Sequence, residues 1–264
     1  VFRRLDRTIL DGINLSIAPG EFCALIGPNG SGKSSLLRVL AGLWSVAQGA
    51  VTLDGVPLSR VKRAELAQRV SLVPQDTKID FGFTVGEIVA TGRYPHRGRF
   101  ARETAADRRR IDEALERCDV AHLRHRCVTA LSGGERQRAL IARSLATDAD
   151  YLLLDEPTAN LDVEHSIEVL DLCRSLAASG HAIVLATHDL SAAASSAHSV
   201  AVVNKGRLVA NGPRDEVLTT QVIETVFCVQ AELLRSGSGS PVFSFQKINA
   251  AGRTTSAVLS PRYS

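Results

Sequence analysis

Phe22-Cys23-Ala24-Leu25-Ile26 is a short, wholly apolar run, and together with the glycine-rich stretch behind it constrains the fold more than any other feature. A run of this length suits a strand buried on both faces. Gly27-Pro28-Asn29-Gly30-Ser31-Gly32-Lys33-Ser34 comes next, and from Ser34 to Leu43 the residues Leu36, Leu37, Leu40 and Ala41 recur at helical spacing. Strand, glycine-rich loop and helix in this order match G-x-x-x-x-G-K-[ST] in the context the pattern requires. The glycines let backbone N–H groups turn inward around phosphate oxygens, and the helix N-terminus adds a favourable dipole. Gly27 to Ser34, with Ser35 beside them, are therefore expected to cradle a nucleotide. Lys33 is expected to reach the β- and γ-phosphates, and Ser34 to ligate Mg²⁺.

A second element answers the first. Tyr151-Leu152-Leu153-Leu154 is another buried-strand run, and it ends in Asp155-Glu156. In a parallel sheet that end faces the ligand crevice. Asp155 suits water-mediated Mg²⁺ binding, and Glu156 is placed to polarise an attacking water. Alone the pair says little, since many strands end in acidic residues; beside a phosphate loop it supplies the metal anchor and water-orienting group that hydrolysis needs.

The rest of the chain reads as α/β. Strands are expected at Ile13 to Ile17, Val51 to Leu53 and Val70 to Val73, with a helix around Val61 to Gln68. Between Thr84 and Ala149 helical periodicity dominates, including a helix opened by Thr104 with Asp107 in a capping box. From Tyr151 the alternation returns: a helix from about Val163 to Ala178, a strand from Ala182 to Ala186, then a hairpin of Val200–Val203 and Arg207–Val209 around Asn204-Lys205-Gly206. Val242 to Phe245 reads as one more strand after the Ser/Gly run 236–240. No internal repeat is present, so the chain carries one such unit.

Leu131-Ser132-Gly133-Gly134-Glu135 begins a helix with a capping box of Ser132 and Glu135. Two glycines in its first turn expose backbone N–H groups and make a second anion site. Two phosphate-binding helix ends so far apart in one chain point to nucleotide held between two molecules.

Composition bounds the setting. The 264 residues are 45% apolar and 22% charged, enough for a core without staples. A net charge of +3 is too mild to argue for nucleic acid. No apolar stretch approaches 18 residues and VFRRLDRTIL lacks a signal-peptide core, so a soluble chain is expected. The five cysteines, Cys23, Cys118, Cys127, Cys173 and Cys228, form no C-x-x-C pair and read as reduced, mostly buried thiols.

At this point the chain resembles the ATP-binding cassette (ABC) ATPases. GPNGSGKS looks like Walker A, LLLDE like Walker B and LSGGE like the family's signature sequence. Gln75 matches the Q-loop glutamine, Ala159-Asn160-Leu161-Asp162 the D-loop, and Thr187-His188-Asp189 the switch histidine. The resemblance implies a P-loop NTPase core with a mostly parallel sheet, an N-terminal antiparallel β-subdomain and an inserted α-helical subdomain. Residues 1–264 would form one ATPase domain: 1–75 and 151–235 the nucleotide-binding core, 76–150 the helical signature subdomain, 236–264 a C-terminal tail. It further implies a head-to-tail dimer with two ATP molecules at the interface. Each would sit on Lys33 of one copy and be closed by Ser132 and Gly134 of the other, with Gly133, Glu135 and Asp162 also counted among the nucleotide-binding residues. His188 would contact the γ-phosphate; Gln75 would join the Mg²⁺ site and link it to the helical subdomain. At the position where family members place an aromatic against adenine this chain has Arg4, whose planar guanidinium can stack. The signature carries Glu135 where Gln is common.

DNA-repair and chromosome-organising ATPases share these motifs but insert long coiled coils or duplicate the cassette, and neither occurs between Lys33 and Ser132. A separate transmembrane permease is the implied partner, an arrangement typical of prokaryotic importers, with the chain peripheral at the cytoplasmic membrane face and a substrate-binding protein acting indirectly. Phe83-Thr84-Val85-Gly86-Glu87-Ile88-Val89, followed by Gly92-Arg93-Tyr94-Pro95-His96, resembles ATPases of metal-chelate importers, which handle ferric siderophores, haem or cobalamin. The resemblance extends to His165 after Leu161-Asp162 and to Val226-Phe227. The basic cluster Arg93, His96, Arg97, Arg99 and Arg102 is read either as facing permease helices or anionic lipid, or as a solvated loop.

Overall fold

A computed structural model describes residues 1–4, 7–75, 82–97, 101–235 and 241–247. Arg99, the 236–240 run and most of the expected tail lie outside the described residues. The chain begins with strands β1 (Phe2–Arg4), β2 (Arg7–Leu10) and β3 (Phe22–Ile26), then helix α1 (Lys33–Leu40). β4 (Thr52–Leu53), β5 (Val56–Pro57), α2 (Arg63–Arg69) and β6 (Val70–Val73) come after it. The middle is helical: α3 (Val85–Ala90), a 3₁₀ turn (Thr91–His96), α4 (Ala105–Arg117) and α5 (Gly133–Ala146). Alternation resumes with β7 (Tyr151–Asp155), α6 (Val163–Ala178), β8 (Ala182–Thr187), α7 (Leu190–Ser196), β9 (Ser199–Asn204) and β10 (Arg207–Pro213). Helices α8 (Arg214–Val217) and α9 (Thr220–Phe227) lead to β11 (Val229–Arg235) and β12 (Pro241–Lys247).

Six strands form one sheet in the order β10-β9-β3-β8-β7-β6, parallel except for the β9–β10 hairpin. β1–β2, β4–β5 and β11–β12 are separate antiparallel pairs. The α/β expectation with a mostly parallel sheet holds. Successive side chains of a strand point to opposite faces, and a sheet covered on both faces must be apolar on both. Thus Phe22, Ala24 and Ile26 join Leu152, Leu154, Ile183 and Leu185 in the core shared with the helical region. Cys23 and Leu25 join Leu37, Leu153 and Val184 in the core under α1. Burial in these cores pushes the thiols of Cys23, Cys118 and Cys173 up to about 12. All five cysteines are free; Cys228 is exposed.

The helical region is organised by caps. Thr104 and Asp107 form the expected capping box, and so do Ser132 and Glu135. A third box, Thr84 with Glu87, opens α3. Each satisfies two of the backbone donors a helix start leaves orphaned.

Two expectations are corrected and one strand is trimmed. Ile13 to Ile17 is not a paired strand: its burial alternates as expected, but the stretch lies outside every strand ladder. Val51 to Leu53 contracts to the two-residue β4 of a tight hairpin turning at Asp54-Gly55. The basic cluster is not one solvated surface. Arg93 is buried, its Nε donating to Asp107 Oδ1 at 2.9 Å and its Nη1 to the Ala146 carbonyl at 2.8 Å. His96 Nε2 lies 2.6 Å from the Thr147 carbonyl, and Arg97 donates to the Ala101 carbonyl at 2.7 Å. Tyr94, between them, is 63% exposed.

Candidate nucleotide site

Parallel strands β3, β6, β7 and β8 all end on the same edge of the sheet, and each delivers one piece of the site. The glycine-rich loop leaves β3, Gln75 comes after β6, Asp155-Glu156 closes β7, and His188 comes after β8. These are the carboxyl ends where parallel sheets gather ligands. Residues Asn29 to Ser35, Gln75, Glu156, Asn160 and His188 line one cleft of about 1270 Å³.

The loop is shaped by its backbone. Gly27 has φ 155°, and a Cβ there would fall 2.0 Å from the Val203 carbonyl oxygen. Gly32, the residue preceding α1, has φ 111°. No other residue type takes both positions without moving the neighbouring chain. The Lys33 ammonium donates to the carbonyls of Gly27 at 2.8 Å and Pro28 at 3.3 Å. Burial lowers its pKa, against the opposing pull of the Glu156 and Asp155 carboxylates.

Glu156 is the hub. Its Oε2 accepts from Gln75 Nε2 at 3.1 Å and lies 3.3 Å from His188 Nδ1; its Oε1 lies 3.9 Å from Lys33 Nζ. The residue has φ 51°, left-handed backbone that costs a non-glycine residue of order 1 kcal/mol. Its N–H is tied to the Ala186 carbonyl at 2.9 Å, so β8 holds the turn in place. Behind it, buried Asp155 accepts from Ser34 Oγ at 2.9 Å. Desolvation raises the Asp155 pKa, and the Ser34 hydrogen bond opposes it.

Two features fit phosphate and Mg²⁺. Ser31 Oγ is buried inside the loop without a hydrogen-bond partner among the described residues, the orphan expected where a phosphate oxygen completes the cradle. Ser34, hydrogen-bonded to Asp155, and Gln75, at the rim of the same cleft, carry hard oxygen donors, the ligand type Mg²⁺ takes alongside substrate phosphates.

The remaining expected residues lie elsewhere. Ser132 and Gly133 are exposed at the start of α5 and, with Gly134 and Glu135, do not line the cleft. Arg4 does not line it either; its guanidinium lies over the Trp44 ring, 5.4 Å from the centroid, where Phe2 also stacks at 5.0 Å. Asp162 caps α6, accepting from the His165 N–H at 3.0 Å. Sequence reasoning missed the left-handed conformations of Glu156 and Asn160, which carry no residue signal because neither is glycine. It also missed Val163 and Ile167, 77% and 52% exposed, which extend the cleft along α6.

Fold and site define a P-loop nucleotide-binding α/β protein. Its class is narrower than that: the ABC transporter family profile matches residues 10–159, and the chain belongs to that family. It is 44% identical to the hemin import ATP-binding protein of Nocardia farcinica, over 86% of this chain and 78% of that protein. It is 39% identical to the iron(3+)-hydroxamate import ATP-binding protein of Bacillus subtilis, over 87% and 86%. Identity to the cobalamin import ATP-binding protein of Halobacterium salinarum is 44% over 83% of this chain, which spans only 55% of that relative's length. Among solved structures, a transporter described as of metal-chelate ABC type, in an inward-facing conformation, superposes with a TM-score of 0.78 at 29% identity, covering 89% and 90% of the two chains. A bacterial ABC transporter cassette solved as a dimer gives 0.68 at 27%, covering 78% and 90%.

Proposed function

We propose that this chain hydrolyses ATP as the energising subunit of an importer for a metal chelate, ferric siderophore or haem ahead of cobalamin. The observation that carries the enzymatic part is the convergence of Lys33, Gln75 and His188 on the Glu156 carboxylate. A γ-phosphate brought to Lys33 lies next to a general base already held between Gln75 and His188. Glu156 takes the proton of the attacking water, Lys33 and the loop N–H groups stabilise charge on the phosphate oxygens, and His188 meets the γ-phosphate. Ser34, Asp155 and Gln75 would hold Mg²⁺, which neutralises phosphate charge when bound. Arg4 is the proposed adenine contact, reached by swinging off Trp44.

Hydrolysis takes two copies. Ser132 to Glu135 and Asp162 stand outside the cleft that holds Lys33, so within one chain the second anion site has no phosphate to meet. A head-to-tail pair brings each signature helix end to the other copy's loop. The boundaries at 75, 150 and 235 are proposed as those between the nucleotide-binding core, the helical signature subdomain 76–150 and the C-terminal tail.

Partners and cargo rest on the relatives, whose names specify hemin, iron(3+)-hydroxamate and cobalamin import. Because those relatives are named as ATP-binding proteins of importers, the transmembrane path is assigned to separate permease subunits at whose cytoplasmic face the chain docks, fed by a substrate-binding protein; among the described residues no helix is long and apolar enough to cross a membrane. Uptake tests this reading. Reconstituted with permease and binding protein, the complex should accumulate labelled iron chelate only with ATP. Outward movement of a lipid or drug, or ATPase activity raised by DNA ends, would overturn it.

A further inference from the structure

His165 joins two stretches that the proposed dimer needs together. It is the third residue of α6, and Asp162 Oδ1 accepts both its backbone N–H at 3.0 Å and its ring Nδ1–H at 2.5 Å. Its ring also lies against Gly134 in the first turn of α5: a Cβ there would fall 2.2 Å from His165 Cδ2 and 2.9 Å from His165 Cβ. Leu161 closes in likewise on Gly133, where a Cβ would lie 3.0 Å from Leu161 Cδ2. One turn further along both helices Arg138 pairs with Glu168. An N-cap needs only the backbone N–H of residue 165, which any residue but proline supplies. The ring bond and the glycine fitted beneath the ring exceed that requirement.

We propose that His165 is a positioning residue that locks Asn160–Asp162 to the first turn of the signature helix, so that both meet a second copy as one body. The consequence for catalysis rests on the two-copy reading above; the lock itself lies within one chain. Charges around the ring favour it: Asp162, Glu164 and Glu168 face it from α6 and its cap, and Arg138 from α5 sits on Glu168. The ring hydrogen bond to Asp162 raises the His165 pKa, and the His165 backbone N–H first, then the ring, lower that of Asp162, so the ring bond gains charge assistance as the ring protonates.

Hydrogen exchange on the single chain tests the lock, and steady-state kinetics test its use. His165→Ala should speed amide exchange in 131–138 and 158–165 together by about tenfold, with 27–35 unchanged. It should lower kcat by about tenfold while the affinity of the single chain for ATP stays constant. His165→Asn retains a side-chain N–H donor and should recover most of kcat; His165→Leu fills the space without a donor and should not. Unchanged exchange overturns the lock, and a Leu variant as active as the Asn variant overturns its use in catalysis. ATP-driven dimerisation of Glu156→Gln separates the two ideas: absent dimers with the exchange effect intact refute the two-copy reading and leave the lock standing.

Discussion

His188 Nδ1 lies 3.3 Å from Glu156 Oε2, and the two residues sit just beyond the neighbouring parallel strands β8 and β7. The carboxylate is nearly enclosed, with 13% of its side chain exposed, while the histidine is 56% exposed. One group is fixed by the fold and the other reaches it from the surface. Glu156→Gln keeps the shape and the neighbours but removes the base. Steady-state hydrolysis should fall about 10²-fold or more while ATP still binds. Wild-type turnover in this variant would remove Glu156 from the role.

Lys33 is the complementary case. It is buried, its pKa is depressed by that burial, and its ammonium rests on two loop carbonyls beside two carboxylates. A polyphosphate offers it stronger partners than carbonyls. Lys33→Ala should therefore weaken MgATP binding itself by at least about tenfold, ~1.4 kcal/mol, as read by equilibrium titration. Unchanged affinity with lost turnover would place Lys33 in the transition state alone.

The buried Arg93–Asp107 pair gives a stability prediction away from the cleft. Asp107 also accepts from the Thr104 N–H and hydroxyl, and these bonds, backbone first, hold its pKa far below the usual carboxylate range. A folded-state pKa below the unfolded value, about 3.9, means stabilisation that is complete well above pH 4 and is lost as pH falls below it. Asp107→Asn strands a buried guanidinium and should cost ~3 kcal/mol, with the lost increment vanishing in acid. Thermal melts of both proteins between pH 7 and pH 3 check the size and the sign. A constant gap across that range would refute the linkage.

Much of this site was legible because its chemistry demands particular residue types. A phosphate loop needs glycines at Gly27 and Gly32, and strand ends carrying Asp155-Glu156 declare themselves by an abrupt change from apolar to acidic. Caps were equally legible at Thr104 and Ser132, since the pattern is local. What escaped depends on tertiary placement. Arg93 reads as a surface charge until Asp107, on another helix, neutralises it. Ile13 to Ile17 alternates like a strand, but pairing is a property of neighbours and the sheet supplies none there. Glu156 adopts φ 51° because the Ala186 carbonyl holds its N–H, which no local pattern encodes.

Sharing of the site between copies can be tested by mixing two dead chains. Lys33→Ala removes the loop's cation, and Ser132→Arg fills the anion site at the exposed start of α5 at the cost of a cap, about 1 kcal/mol. In a mixed pair one site brings both substitutions together and is doubly broken. The other combines the Lys33 of the Ser132→Arg chain with the Ser132 of the Lys33→Ala chain and is intact. Each variant alone should be silent, and their equimolar mixture should regain up to about a quarter of wild-type hydrolysis, since half the pairs are mixed and each holds one good site. If each chain used its own Ser132, no mixture could recover. Silence from a mixture whose chains are folded and associated would therefore refute the shared site.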